Sequence, residues 1–188
     1  KPHVHLQAAG IERVEEDGIV ACDGTKTTID TLVLCTGFDL WEANIPAIEI
    51  IGRDARNLGK WWRDNGFQAY QGVSIPAFPN FLSLAGPYAS SGLSFFNTVE
   101  YQMRHMDRLF GEVQRRNATT FEVTPQANAA FRDRMSKLLG KTVFGLGDCS
   151  KSRSYYFSPS GETLVRPAST NQTNRENDNF PLTDYSFA

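Results

Sequence analysis

The sequence predicts an α/β fold from three observations. An apolar run, Leu32-Val33-Leu34-Cys35, closes on Thr36-Gly37. Two later segments carry apolar residues at steps of three and four, the period of a helix with one buried face. Turn signals crowd the first 38 residues and mark an antiparallel excursion. A length of 188 residues, 40% hydrophobic and 21% charged, is enough for a real core.

In chain order, Val4-His5-Leu6 reads as a short strand. Ile11 to Val14 and Ile19 to Ala21 flank the turn Glu16-Asp17-Gly18 as a hairpin. Asp23-Gly24 is a second turn, and Thr27 to Cys35 reads as the strand leaving it, buried on both faces from Leu32 onward. Residues 39–79 are irregular and aromatic-rich, with Leu58, Trp61 and Trp62 on a short helical turn and Tyr70 to Pro76 strand-like. Phe81 to Pro87 reads as a second apolar strand, followed by a loop rich in glycine and serine. A helix is predicted over about Asn97 to Arg116, with Val99, Met103, Met106, Phe110 and Val113 on its buried face. A second is predicted over Pro125 to Leu139, capped by Thr124 and Gly140, with Phe131, Met135 and Leu138 as its stripe. Residues 171–179 are polar and read as loop or tail, with Phe180, Tyr185 and Phe187 as anchors.

A net charge of −2 gives no electrostatic reason to expect nucleic acid as a partner. No apolar run approaches the roughly 20 residues of a membrane span, and Lys1-Pro2-His3 leads into the first strand-like segment without a signal peptide. Cys22, Cys35 and Cys149 are odd in number, widely spaced and without a CxxC pair, so a reducing, cytoplasmic setting is expected. His3 and His5 share one strand face but lack a third ligand, so no metal site is predicted. No G-x-G-x-x-G follows a strand. Gly145-Leu146-Gly147 is the nearest approach. The abrupt, Met-less start suggests the C-terminal part of a larger protein.

The unit with the most chemical content is strand, Gly86-Pro87, small-residue loop and helix. A glycine-rich turn before a helix presents free N–H groups at the positive end of the helix dipole, which suits a ligand edge carrying partial negative charge.

Asp30-Thr31-Leu32-Val33-Leu34-Cys35-Thr36-Gly37-Phe38 resembles the Asp-x-(apolar)-Ala-Thr-Gly-Phe/Tyr signature of flavin-containing and Baeyer–Villiger monooxygenases, with Cys35 where Ala is usual. Gly52-Arg53-Asp54, Leu58 to Trp62, Tyr70-Gln71-Gly72-Val73, Phe78-Pro79-Asn80-Phe81, Gly86-Pro87 and Glu100-Tyr101-Gln102 follow in that family's order. Cys149 and Ser154-Tyr155-Tyr156 resemble its later Cys…Ser-(Trp/Tyr)-Tyr segment, over a longer spacing than usual.

The resemblance implies the C-terminal part of a flavoprotein with two dinucleotide-binding, Rossmann-like domains. Residues 1–38 would end the NADPH domain and 39–79 would link and wall the substrate cavity. Residues 80–145 would complete the FAD domain, leaving 146–188 as a C-terminal extension. FAD and NADPH are the implied cofactors. O₂ and a ketone, aldehyde or soft-heteroatom compound are the implied substrates. Thr36, Gly37, Gly86, Pro87, Gly92, Leu93 and Ser94 would contact FAD. Trp61, Trp62, Phe67, Tyr70, Phe95 and Phe96 would line the cavity. The family's active-site arginine lies upstream of Lys1, so no catalytic residue is named, and Arg53 is expected in a structural salt bridge with Asp54 or another carboxylate. A flavoprotein reductase and a non-catalytic remnant module are the alternatives, and the absent CxxC weighs against the first.

Overall fold

The computed structural model describes residues 2–38, 40, 41, 46–90, 94–145 and 154–188, and these fall into two compact units, Lys1–Gly37 and Phe38–Ala188.

The first unit is an antiparallel meander of β1 (Ile11–Glu15), β2 (Gly18–Ala21) and β3 (Lys26–Thr28). Val14 pairs with Ile19, and Ile19 with Thr27. A Cβ on Gly18 would lie 2.5 Å from the Thr27 carbonyl oxygen, so only glycine lets β3 close on the hairpin. Lys26 ties the meander together by reaching Asp17 at 2.7 Å and Glu15 at 2.9 Å.

Two predicted strands of this unit do not form. Val4 to Leu6 is irregular, with Leu6 93% exposed. The chain leaves the sheet after Thr28, and Leu32 to Cys35 is exposed rather than buried, Val33 by 74% and Leu34 by 75%. An all-apolar strand is stable only between neighbours that pair its edges and cover its faces. No strand among the described residues pairs with it.

The second unit has one core, to which Trp62 and Phe67, Leu109 and Phe131, and Leu164 and Tyr185 all contribute. The segments 39–79, 80–145 and 146–188 therefore share a single interior. Helix α1 (Leu58–Asn65) starts where the Asn57 side chain accepts from the Lys60 N–H at 2.9 Å, and it buries Leu58 and Trp62. Helix α2 spans Phe95–Arg116 and ends on left-handed Asn117. After β4 (Phe121–Val123), helix α3 (Pro125–Leu139) begins at Thr124, whose hydroxyl accepts from Ala127 N–H at 3.2 Å, as the sequence predicts. Helix α4 (Thr170–Asp178) precedes β5 (Tyr185–Phe187), which pairs antiparallel with β4, Val123 opposite Tyr185.

Tyr70 to Pro76 is no strand. Tyr70 bridges to Ser74 around a tight turn with left-handed Gln71 and Gly72. Phe81 to Pro87 is irregular, held by single bonds such as Ser83 N–H to the Val73 carbonyl at 2.9 Å. The buried face of α2 is rotated from its apolar stripe. Met103 and Phe110 are exposed, while Gln102, His105 and Glu112 are buried beside Tyr101 and Leu109. In α3, Leu139 rather than Leu138 is buried. Residues 171–179 are mostly helix, not tail. Helix α4 lacks an apolar stripe because it docks through buried Thr173 and Asn177 and an ion pair from Glu176. Phe180 and Tyr185 are buried anchors as expected, and Phe187 is partly buried.

Candidate functional site

The turn 85–90, just ahead of α2, is pinned by hydrogen bonds to several distant segments. Gln102, on the second turn of α2, is fully buried. Its Oε1 accepts from Ala85 N–H at 2.8 Å, and its Nε2 donates to the Gly72 carbonyl at 2.8 Å. The hydroxyl of neighbouring Tyr101 donates to the Ala89 carbonyl. Tyr88 N–H reaches the Leu164 carbonyl at 2.7 Å, and Arg166 N–H the Ser90 carbonyl at 2.7 Å. A Cβ on Gly72, whose φ is +74°, would fall 2.5 Å from the Ala89 Cβ. One on Gly86 would fall 2.8 Å from the Gly72 carbonyl oxygen. Both glycines thus permit two loops to touch, and Tyr101 and Gln102 on α2 supply the polar clamp that buried backbone groups require.

Gly86 and Pro87 are buried within this junction. Ser94 is the N-cap of α2 but makes no side-chain cap bond, and Ser94 to Asn97 are exposed. Among the described residues, no side chain caps the first N–H groups of this 22-residue helix at its positive end. Gly92 and Leu93 lie outside the described residues, as does Cys149. Thr36 and Gly37 belong to the first unit and are exposed. Gly37 has φ +80°, and a Cβ there would meet open space.

The structure separates the six aromatic residues named for the cavity. Trp62 and Phe67 line a cavity of about 620 Å³ together with Trp41, Arg63, Arg132 and Glu162. Tyr70 lines a smaller one of about 350 Å³ with Phe131, Arg134 and Glu176. Trp61 is half-buried, 6.5 Å from the Phe78 ring. Phe95 and Phe96 are exposed at the start of α2, their rings 6.2 Å apart.

Sequence reasoning misses a buried polar network behind the turn. Arg166 is 2% exposed and donates to Gln71 Oε1 at 2.5 Å and to Glu176. Arg134 grips Glu176 with both Nη groups, at 2.7 and 3.0 Å. Burial would raise the Glu176 carboxyl, but Arg134, Gln172 and Arg166 outweigh it and hold it at about 2. The same burial lowers Arg166 from the usual guanidinium range. His105 stacks on Phe180 at 3.9 Å and shares a 2.9 Å hydrogen bond with the Tyr185 hydroxyl, which donates to Ser74 Oγ. Burial pushes His105 down to about 3, so it is neutral. No local pattern advertises this network, because its members come from turn 70–74, α2, α3 and the last 25 residues. Arg53 pairs with Glu122 at 2.7 Å, the "other carboxylate" of the sequence reading.

Among the described residues no cluster of three His, Cys, Asp or Glu side chains could hold a metal, and no helix is long and apolar enough to cross a membrane. No family model matches the chain. A Baeyer–Villiger monooxygenase of Streptomyces coelicolor is 30% identical over 98% of this chain, which spans 35% of that protein. A closed crystal structure of cyclohexanone monooxygenase superposes with a TM-score of 0.72 and 25% identity, over 95% of this chain and 34% of that one. A steroid monooxygenase bound to NADP gives a TM-score of 0.73 at 24% identity, over 94% and 33%. The chain thus spans about a third of the length of the proteins it matches.

Proposed function

We propose, for a chain that belongs to the Baeyer–Villiger-type monooxygenases, that it is the C-terminal portion of an enzyme using FAD, NADPH and O₂ to oxygenate a ketone, an aldehyde or a soft heteroatom. In this reading residues 1–38 end the NADPH domain, 39–79 link and wall the cavity, 80–145 complete the FAD domain and 146–188 extend it. The setting is cytoplasmic, in keeping with exposed thiols at Cys22 and Cys35.

The observation that carries the reading is the open N-terminus of α2 beyond a turn immobilised by Gln102 and Tyr101. Free N–H groups at the positive end of a helix suit the electron-rich pyrimidine edge of a flavin, so the residues present fit FAD. Gly92, Leu93 and Ser94 would face that edge with backbone N–H groups. Gly86 and Pro87 would fix the height of the turn beside it, and Thr36 and Gly37 would be FAD contacts on the strength of the Thr-Gly motif alone. The chemistry FAD supplies when bound is oxygen activation after reduction by NADPH. This chain's part is positional. The Gln102 clamp keeps the turn from rearranging, and the rings of Trp62 and Phe67, which line one cavity, would exclude water from a substrate there.

The test compares Gly92→Val with the unaltered protein, in a polypeptide spanning the length of the relatives. Flavin absorbance per protein should fall severalfold while the apo-protein melting temperature holds, because a branched side chain blocks close backbone approach. Normal flavin content would refute the role of this helix start. The 188-residue chain alone should purify colourless, since it holds no dinucleotide fingerprint for the FAD pyrophosphate.

A further inference from the structure

The 620 Å³ cavity combines two features that an oxygenase for plain hydrocarbons or simple ketones does not need. One wall is aromatic. Trp41 and Trp62 flank Phe67, with ring centroids 5.4 and 5.5 Å from it. Both indole N–H groups are already used, Trp41 on the Tyr155 carbonyl at 2.7 Å and Trp62 on the Gln68 carbonyl at 2.9 Å. The rings therefore offer only their apolar surface.

The lining also carries charge, with two guanidiniums, Arg63 and Arg132, and one carboxylate, Glu162. Arg132 is committed, through Nη2 to Glu162 Oε1 at 3.1 Å and through Nη1 to the Asn65 carbonyl at 2.8 Å. Arg63, in the last turn of α1, lines the same cavity and makes no ion pair among the described residues. Glu162 keeps its second oxygen, Oε2, buried and without a hydrogen-bond partner. A buried acceptor left unmatched is costly, and a free guanidinium beside an apolar wall attracts an anion. The volume lies within the usual range for small-molecule sites, about 300–1,000 Å³.

We infer that this cavity takes a small carboxylate with an aromatic or branched apolar body and one hydrogen-bond donor. Its carboxylate lies at Arg63, its apolar body lies against Trp41, Trp62 and Phe67, and its donor reaches Glu162 Oε2 once that carboxylate, on a side chain 40% exposed, rotates the oxygen out of its buried position. The inference uses the proposed substrate wall only to give the ligand a role. Binding itself is read without FAD, NADPH or turnover.

Three matched probes decide it, titrated against the intrinsic tryptophan fluorescence of the intact protein. 3-Phenyllactate carries ring, carboxylate and donor, hydrocinnamate lacks the donor, and 3-phenylpropanol lacks the carboxylate. Phenyllactate should bind tightest, hydrocinnamate severalfold more weakly, and the alcohol at least about tenfold more weakly than phenyllactate, in line with the loss of a charge-assisted hydrogen bond. Arg63→Gln, on an exposed side chain, should erase the preference for the acids without moving the melting temperature, and Arg63→Lys should restore part of it. Equal binding of alcohol and acids, an unchanged order in Arg63→Gln, or no saturable binding of any probe would overturn the inference. A protein that binds phenyllactate yet oxygenates nothing when given FAD and NADPH retires the monooxygenase reading and keeps this one. Oxygenation of neutral ketones without phenyllactate binding does the reverse.

Discussion

The run Leu32-Val33-Leu34 and the turn Tyr70-Gln71-Gly72 hold opposite places in the two units. The first is wholly apolar and exposed, and the second has glutamine at its centre and is buried. Hydrophobicity thus sets what a segment would gain by burial, and its partners decide whether the gain is realised. The turn is buried because Gln102 and Arg166 meet its polar groups. The run has no neighbouring strand among the described residues.

Four predictions probe that contrast. Matched truncations should separate the units most. Trp62→Ala removes a ring that is 2% exposed and should cost about 3–5 kcal/mol, while Leu34→Ala should stay within about 0.5 kcal/mol in this chain. All three tryptophans lie in the second unit, so fluorescence-detected urea unfolding reads Trp62→Ala, and far-UV circular dichroism, which reports on both units, reads Leu34→Ala. A comparable loss from Leu34→Ala would mean that the run is buried after all.

Gln102→Leu keeps the bulk of the clamp and removes its hydrogen bonds. Two buried backbone groups, Ala85 N–H and the Gly72 carbonyl, lose their partner, at about 1–3 kcal/mol each. The same unfolding curves should show a total loss of about 2–6 kcal/mol. A neutral outcome would show that the turn is held by packing alone.

Protonation tests the polar core without mutation. His105 takes up its proton at about 3 when folded and near 6.5 when exposed, because burial disfavours the cation. Its stabilising contribution is complete above pH 6.5 and drains away as pH falls toward 3, since the unfolded chain binds the proton first. Glu176 and Glu112, both held at about 2 by their arginines, add to the loss only below their ordinary value of 4.5. The window between pH 6.5 and 5 is therefore diagnostic, and His105→Gln should flatten the stability slope there. An unchanged slope would place the proton elsewhere.

The smallest effect is expected at the surface. Arg53→Ala breaks the pair with Glu122, whose other oxygen still accepts from Ala77 N–H at 2.8 Å. The urea midpoint should barely move, and raising salt should erase the difference.

Much of the secondary structure follows from local chemistry. The meander was legible because its turns carry Asp-Gly signals and Gly18 sits where no Cβ fits. Helix α3 was legible because Thr124, Pro125 and its stripe agree with one another. Helix α4 was not, since its contacts run through Thr173, Asn177 and Glu176, which read as solvent-facing until their partners are known. The rotated face of α2 has the same origin, in the polar burial of Gln102 and His105.

By itself the sequence determined the ordered motifs shared with Baeyer–Villiger monooxygenases and the helix over 125–139. Those depend on neighbours within a few residues, or on order alone. Only the tertiary structure decided that Gln102 clamps Ala85 to Gly72, that Arg166 meets Gln71, and that Trp41, Phe67, Arg132 and Glu162 line one cavity. Each of these joins residues that are distant in the chain, and a polar side chain shows no sign in sequence of the buried partner that makes its burial stable.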